Sequence, residues 1–243
     1  MSQIILEVRN LEGETPLGKI GKDSPVNFIL RESETGVFLG GKEPSQLWRL
    51  LLGKGSISNG SIEFGSGIKM DDENIQWRSQ IGFVHRDKGL ISNLTLLENV
   101  LLPANYHGLN STSIEQVMDD ALIKKENWDK RPSEVGWKSR KKTLLARSVI
   151  LNPKLLILDD PTELYPYTDY HELYTWIEKQ KKNARGILIG TENTPFGLAM
   201  ANWILQPENT NMETEFKIHL NKDWIDSAQH LKKSMIKQVG INL

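Results

Sequence analysis

Cysteine is missing from all 243 residues, which excludes a disulfide framework, a thiol nucleophile and a thiolate zinc site. Also missing is any apolar run near the roughly 18 to 20 residues that span a bilayer, so a membrane role is expected to act through a partner. The opening MSQIILEVRN turns charged by Glu7, too soon for the apolar stretch of a secretion signal. Neither sign of charge is in excess: 30 Lys and Arg face 31 Asp and Glu, for a net of −1. Bulk attraction to nucleic acid therefore has no electrostatic basis. An intracellular protein is expected, large enough for one α/β domain or a domain carrying an inserted lobe. Internal repeats and low-complexity segments are absent.

The residues present alternate between strand and helix patterns. Ile4 to Val8 and Val26 to Leu30 alternate like half-buried strands, and Val37 to Leu39 is a short buried strand ending at Gly40 and Gly41. Leu47 to Leu52 has helical spacing, and the Gly/Ser-rich stretch Gly53 to Gly67 contains a hairpin-like strand at Ser61 to Phe64. From Leu94 to Trp128 the pattern is helical and more polar, with Glu115 to Lys125 as an amphipathic segment. Leu144 to Val149 is helical again. The buried strands Leu155 to Leu158 and Gly186 to Ile189 flank a helix at His171 to Lys182. Strands alternating with helices predict a parallel sheet covered on its faces.

The most informative segment is LLILDDPT at 155–162, an apolar strand closing on Asp159, Asp160 and the turn-forming Pro161. With RSQIGFVHRDKGLISNLTLLENVLLP from Arg78 to Pro103 and RPSEVGWKSRKKTLLARSVILNPKLLILDDP from Arg131 to Pro161, it resembles the nucleotide-binding domains of ABC transporters over nearly the whole chain. LLILDDPT matches their Walker B segment. GLISNLTLLENVLLP with Tyr106-His107-Gly108 is most similar to the ABC subunits of Mla/Mce-type lipid transporters. The resemblance implies an α/β P-loop NTPase fold of ABC type: a RecA-like core with an antiparallel β edge and a helical lobe inserted at about 87–145. The domain would cover 1–220, with a C-terminal helical extension at 221–243. It also implies ATP and Mg²⁺ as cofactors, a permease and a second ABC ATPase-type subunit as partners, and a peripheral position at the inner face of a membrane.

Motif by motif, the chemistry behind that resemblance is altered. A phosphate-binding loop, G-x-x-G-x-G-K-[ST], wraps backbone N–H groups around phosphates, neutralises them with Lys and binds Mg²⁺ through the hydroxyl. Here Gly40-Gly41-Lys42-Glu43-Pro44-Ser45-Gln46 is two residues short. Pro44 stands in the Lys position with no N–H, and Glu43 brings a carboxylate beside the phosphates. The competing reading is that Lys42 swings in as a substitute while Ser45 still holds Mg²⁺. Glu12, Gly13 and Glu14 lie where the family offers an aromatic platform for adenine. The signature LSGGQ, whose Ser and glycines approach the γ-phosphate of the opposite subunit, is Val135-Gly136-Trp137-Lys138-Ser139. Trp137 puts an indole where bare backbone is needed, leaving Gly136 and Ser139 of the nucleotide contacts. At the Q-loop, Arg86 replaces Gln, preceded by His85. Asp159 keeps the Mg²⁺ position, whereas Asp160 is one methylene shorter than the family's Glu general base, a misplacement that can cost about 10²-fold. The D-loop reads Glu163-Leu164-Tyr165-Pro166 without its Asp, and Glu192 replaces the switch His.

These changes point to a degenerate subunit with little or no ATP binding or hydrolysis, without a cofactor and serving structure or regulation. The alternatives are a slow ATPase using Lys42, Asp159 and Asp160, and a soluble interaction module unlinked to transport. The basic run Lys138, Arg140, Lys141, Lys142 reads either as a solvated helix start or as a docking point for a carboxylate on a neighbouring subunit, since cations oppose the dipole at a helix N-terminus. In Lys222 to Val239, Trp224, Ala228, Leu231, Met235 and Val239 form one helical stripe. That stripe packs on the chain's own core or on a second subunit.

Overall fold

The computed structural model describes residues 2–220 apart from 23, 41, 66, 69, 71–75, 87–88, 109–112 and 211–212. The C-terminal extension and its apolar stripe lie outside the described residues. β1 (Ile4–Thr15) is the spine of an antiparallel sheet, pairing with β2 (Gly18–Ile20), β3 (Val26–Arg31) and, after β4 (Thr35–Leu39) and α1 (Lys42–Leu51), with β5 (Ser56–Phe64). It runs well past the expected end at Val8 because it shifts register there. Asn10, at φ +45°, takes up the bulge, and its N–H is caught by Asn27 Oδ1 at 2.7 Å.

α2 (Gln76–Ser79), β6 (Ile81–Val84), α3 (Leu96–His107), α4 (Ile114–Asp120), α5 (Trp137–Val149), β7 (Leu155–Asp159), α6 (Tyr170–Lys182), β8 (Gly186–Thr191), α7 (Thr194–Met200), β9 (Trp203–Thr210) and β10 (Glu213–Leu220) follow. The second sheet has the order β10-β9-β4-β8-β7-β6, parallel throughout except for antiparallel β10. β4, β7 and β8 are buried at every position, as apolar runs covered on both faces must be.

Alternation along these strands divides the core in two. Val37, Leu39, Leu156, Leu158, Ile187 and Ile189 face one side, where Leu96 and Val100 of α3, Met118 of α4, Leu144 and Leu145 of α5 and Leu173 and Ile177 of α6 cover them. Phe38, Leu155, Ile157 and Leu188 face the other, packed with Leu47, Trp48, Leu50 and Leu51 of α1 and with Leu6, Val8, Phe28 and Phe64 of the antiparallel sheet. α1 is thus clamped between the two sheets. The helices of the 87–145 region share one continuous core with the sheet face. Among the described residues no helix is long and apolar enough to cross a membrane.

One helix differs from expectation. The segment 115–125 does not continue as a single amphipathic helix: α4 stops at Asp120, and Leu122 turns left-handed at φ +56° with its N–H bonded to Asp119 O. That turn lets Ala121 and Ile123 both reach the core while Leu122 stays exposed. A straight helix could not bury both.

Candidate functional site

Parallel β4, β6, β7 and β8 end side by side, pairing Leu39 with Thr191, Asp159 with Gly190 and Val84 with Leu158. Their carboxyl ends deliver Gly40, Arg86, Asp159 and Asp160, and Thr191 and Glu192 to one edge, the usual place for a ligand site in an α/β sheet. Between β4 and α1 only two residues intervene, and the Gly40 N–H is already bonded to Thr191 O at 3.2 Å. Gly41 and the side chains of Lys42 and Glu43 lie outside the described residues. Pro44 occupies the first turn of α1, where proline is tolerated because its absent N–H would have been an orphan donor. There it lies against the end of β8: a Cβ on Gly190 would meet Pro44 Cβ at 2.7 Å and Trp48 Nε1 at 2.8 Å. The start of α1 at Pro44 therefore rests against the end of β8, and only Gly40 and Gly41 separate the helix from β4.

Ser45 Oγ donates to Asp159 Oδ1 at 3.4 Å. Burial raises the Asp159 pKa above its usual value, opposed by the Arg86 charge and the Ser45 bond and reinforced by Asp160. Ser45 and Asp159 are the pair that would hold Mg²⁺, which needs near-octahedral oxygen ligands and normally shares phosphate oxygens. The neighbouring arginine opposes such a cation. Among the described residues no group of His, Asp and Glu suited to a metal occurs.

Asp160 is the best-satisfied group in the site. It is 5% exposed, sits at φ +43° and bonds its N–H to Gly190 O at 2.8 Å. Its Oδ1 accepts from Thr162 Oγ1 at 2.7 Å and Thr191 Oγ1 at 3.2 Å, and its Oδ2 from Arg86 Nη2 at 3.0 Å. The same Nη2 reaches Glu163 Oε1 at 3.2 Å and Glu192 Oε1 at 4.0 Å. Three carboxylates at positions that depart from the family pattern thereby converge on the guanidinium of a fourth, Arg86. Sequence reasoning found all four and missed their pairing; one new cation and two new carboxylates among the altered motif positions were the available signal. His85 is half-buried, edge-on to Phe83 at 5.7 Å. At the adenine-platform position, Glu12 accepts from Asn59 at 3.0 Å within the antiparallel sheet.

The signature residues stand apart, at the start of α5. Gly136 caps that helix without a side-chain bond, and the Ser139 carbonyl accepts the Thr143 hydroxyl at 2.8 Å. Trp137 is 38% exposed and edge-on to Tyr165 at 6.4 Å. Two of the four cations of the basic run, Lys138 and Lys142, are paired within the chain. Lys138 lies 2.8 Å from Asp169 and 3.7 Å from Glu172, and Lys142 is 3.0 Å from Glu172. α6 thus brings its own acids to the helix start, which offsets the unfavourable dipole contact. Tyr165 is buried, and its pKa is raised by that burial and by Glu172 and Asp169.

Comparison with known proteins gives the family and the fold. The sequence profile of the ABC transporter family matches residues 24–163. An uncharacterised ABC transporter ATP-binding protein of Mycobacterium bovis is 26% identical over 152 residues, covering 57% of this chain and 46% of that protein. The chain therefore spans about half the length of that relative. The lipoprotein-releasing system ATP-binding protein LolD of Hydrogenovibrio crunogenus is 30% identical over 176 residues, 67% of this chain and 75% of LolD. Among solved structures, cbiO1 of Clostridium perfringens superposes with a TM-score of 0.75 at 20% identity, over 99% of this chain and 96% of cbiO1. That likeness establishes the fold.

Proposed function

The chain belongs to the ABC transporter family of ATP-binding subunits, and we propose that it is a member whose nucleotide site is closed from within, serving structure or regulation in place of hydrolysis. The observation that carries this reading is the Arg86 guanidinium, 3.0 Å from Asp160 and within ion-pair reach of Glu163 and Glu192. By the family resemblance these are the Q-loop, general-base, D-loop and switch positions, the last of which contacts the γ-phosphate. Here one cation faces three carboxylates, so the cluster keeps a net negative charge that opposes a phosphate. Three of the roughly four acceptor sites of the Asp160 carboxylate are taken by the arginine and two hydroxyls, which leaves little freedom to orient a water as a general base must. The phosphates would also lack a cradle, because Gly40 is bonded to β8 and Pro44 has no N–H.

A head-to-tail pair of this chain would have two composite sites, each lacking its P-loop half and its signature half. Pairing with an intact homologue would leave one site without a P-loop and the other without a signature. We assign as partners a permease and a second cassette, with the subunit peripheral at the cytoplasmic face. The solved cbiO1 is described as part of an ABC transporter complex, cbiONQ, which supports partnership of that kind. A lipid cargo is the finer proposal, resting on the Gly89 to Pro103 segment and its likeness to Mla/Mce-type subunits. The lipoprotein-releasing role in the name of LolD supports it by analogy.

A second reading has one observation in its favour: the Ser45–Asp159 contact keeps the Mg²⁺ pair together, as a slow ATPase would require. Titration with MgATP separates the two. The closed site predicts a dissociation constant weaker than about 1 mM, or about −4 kcal/mol. Micromolar affinity that disappears in Asp159→Ala or Lys42→Ala would establish the ATPase reading in its place.

A further inference from the structure

Arg185 is a buried charge whose direct partners are all neutral. It precedes β8, is 6% exposed, and donates from Nε to Pro153 O at 3.0 Å, from Nη1 to Gln180 Oε1 at 2.7 Å and from Nη2 to Asn152 Oδ1 at 2.7 Å. A guanidinium has five N–H donors, so two remain beyond these bonds among the described residues, and none of the bonds is to a carboxylate. Holding a charge away from water without an opposite charge is costly. Burial accordingly lowers the Arg185 pKa, with the field of Asp120 opposing.

Arg185 lines a cavity of about 520 Å³ between α4, the end of α5 and the second half of α6. This volume lies in the range of small-molecule sites, roughly 300–1,000 Å³. The other polar walls are Gln116, Asp120, Asn152, Lys179, Gln180 and Asn183. Asp120 is already engaged, by Lys179 Nζ at 2.7 Å and by the Gln116 amide. Arg185 and Lys179 against Asp120 leave the lining with one net positive charge amid side-chain amides. Such a lining suits an anion with several acceptor oxygens.

We propose that this cavity binds a small organic oxyanion, a phosphomonoester or a carboxylate, through the spare Arg185 donors, with Lys179 and the amides of Asn152 and Asn183 around it. It lies at the strand starts, where Asn152 precedes β7 and Arg185 precedes β8. The Arg86 cluster is at the opposite edge of the sheet, so this site stands or falls independently of the closed nucleotide site.

The full-length chain titrated with inorganic phosphate, glycerol 3-phosphate and acetate, against chloride at equal ionic strength, tests it. Saturable binding of at least one of these anions is expected. Asn183→Asp, which adds a negative charge at an exposed position without touching the three Arg185 bonds, should weaken it at least about tenfold. Lys179→Gln should weaken it severalfold, and an unchanged Tm without anion in either variant certifies the fold. No saturable binding, or binding unaffected by both variants, overturns the site. Phosphatidylcholine vesicles with and without phosphatidic acid identify the source. Co-sedimentation that needs phosphatidic acid and is lost in Asn183→Asp assigns a lipid headgroup, whereas binding of free glycerol 3-phosphate without co-sedimentation assigns a soluble ligand.

Discussion

Asp160 and Arg86 are 7% and 21% exposed in their side chains, so water screens their pair little, whereas Glu163 and Glu192 are 53% and 64% exposed. Energetic weight should follow burial. Arg86→Gln, which restores the family's residue, leaves Asp160 buried with two hydroxyls and no cation, and should cost about 2–4 kcal/mol in urea unfolding. Glu163→Gln and Glu192→Gln should each stay within about 0.5 kcal/mol of wild type. Equal effects at all three positions would contradict a single dominant buried pair. Asp159 behaves oppositely, because burial raises its pKa in the fold. A raised carboxyl pKa means that the fold disfavours the ionised form, a penalty that grows as pH rises from the unfolded pKa through the folded one. Asp159→Asn should therefore stabilise the protein at pH 7, and the gain should fade as pH falls below the ordinary carboxylate range. A gain independent of pH would assign it to packing.

Among the elements, the start of α3 shows why some stretches were legible. In Thr95-Leu96-Leu97-Glu98-Asn99, Thr95 caps the helix, Glu98 returns the bond, and the buried Asn99 accepts from Ile91 N while donating to the carbonyls of Ile91, Leu94 and Thr95. That one amide fixes the loop leading out of the β6 edge. Asn99→Ala should cost about 2–3 kcal/mol, since it strands several buried backbone groups, and chemical denaturation at matched pH measures it. The buried strands 155–158 and 186–189 were readable because a parallel strand covered on both faces must be continuously apolar. The left-handed turn at Leu122 was not readable, because leucine carries no local preference for positive φ and only the need to bury both Ala121 and Ile123 imposes it. β9 was hard to read for a related reason: Trp203 to Thr210 is apolar only at Trp203, Ile204 and Leu205, and then turns polar, whereas the alternation of Phe216, Ile218 and Leu220 in β10 was legible and was missed. In the site, the family spacing located Arg86, Asp159, Asp160 and Glu192, but their pairing spans more than a hundred residues of chain. It appears only when β6, β7 and β8 end at one edge. The acids facing Lys138 and Lys142 were hidden likewise, since Asp169 and Glu172 belong to the next helix.

For the molecule as a whole, the closed site proposed above predicts assembly that ignores nucleotide. ATP can join two cassettes only by lying between the P-loop of one and the signature of the other. Here the first is a two-residue link between β4 and α1, and the second presents Trp137 over Tyr165. Catalysis in such sites is almost entirely positioning and electrostatic stabilisation of a held phosphate, so lengthening a carboxylate cannot supply what the absent cradle does not hold. Asp160→Glu should therefore show no ATPase activity above background. Light scattering should give the same mass with and without millimolar MgATP, for wild type and variant alike. A nucleotide-dependent rise in mass, or turnover that Asp160→Ala abolishes, would mean that the Arg86 cluster opens to admit ATP, and the subunit would then be a slow member of its family in place of a closed one.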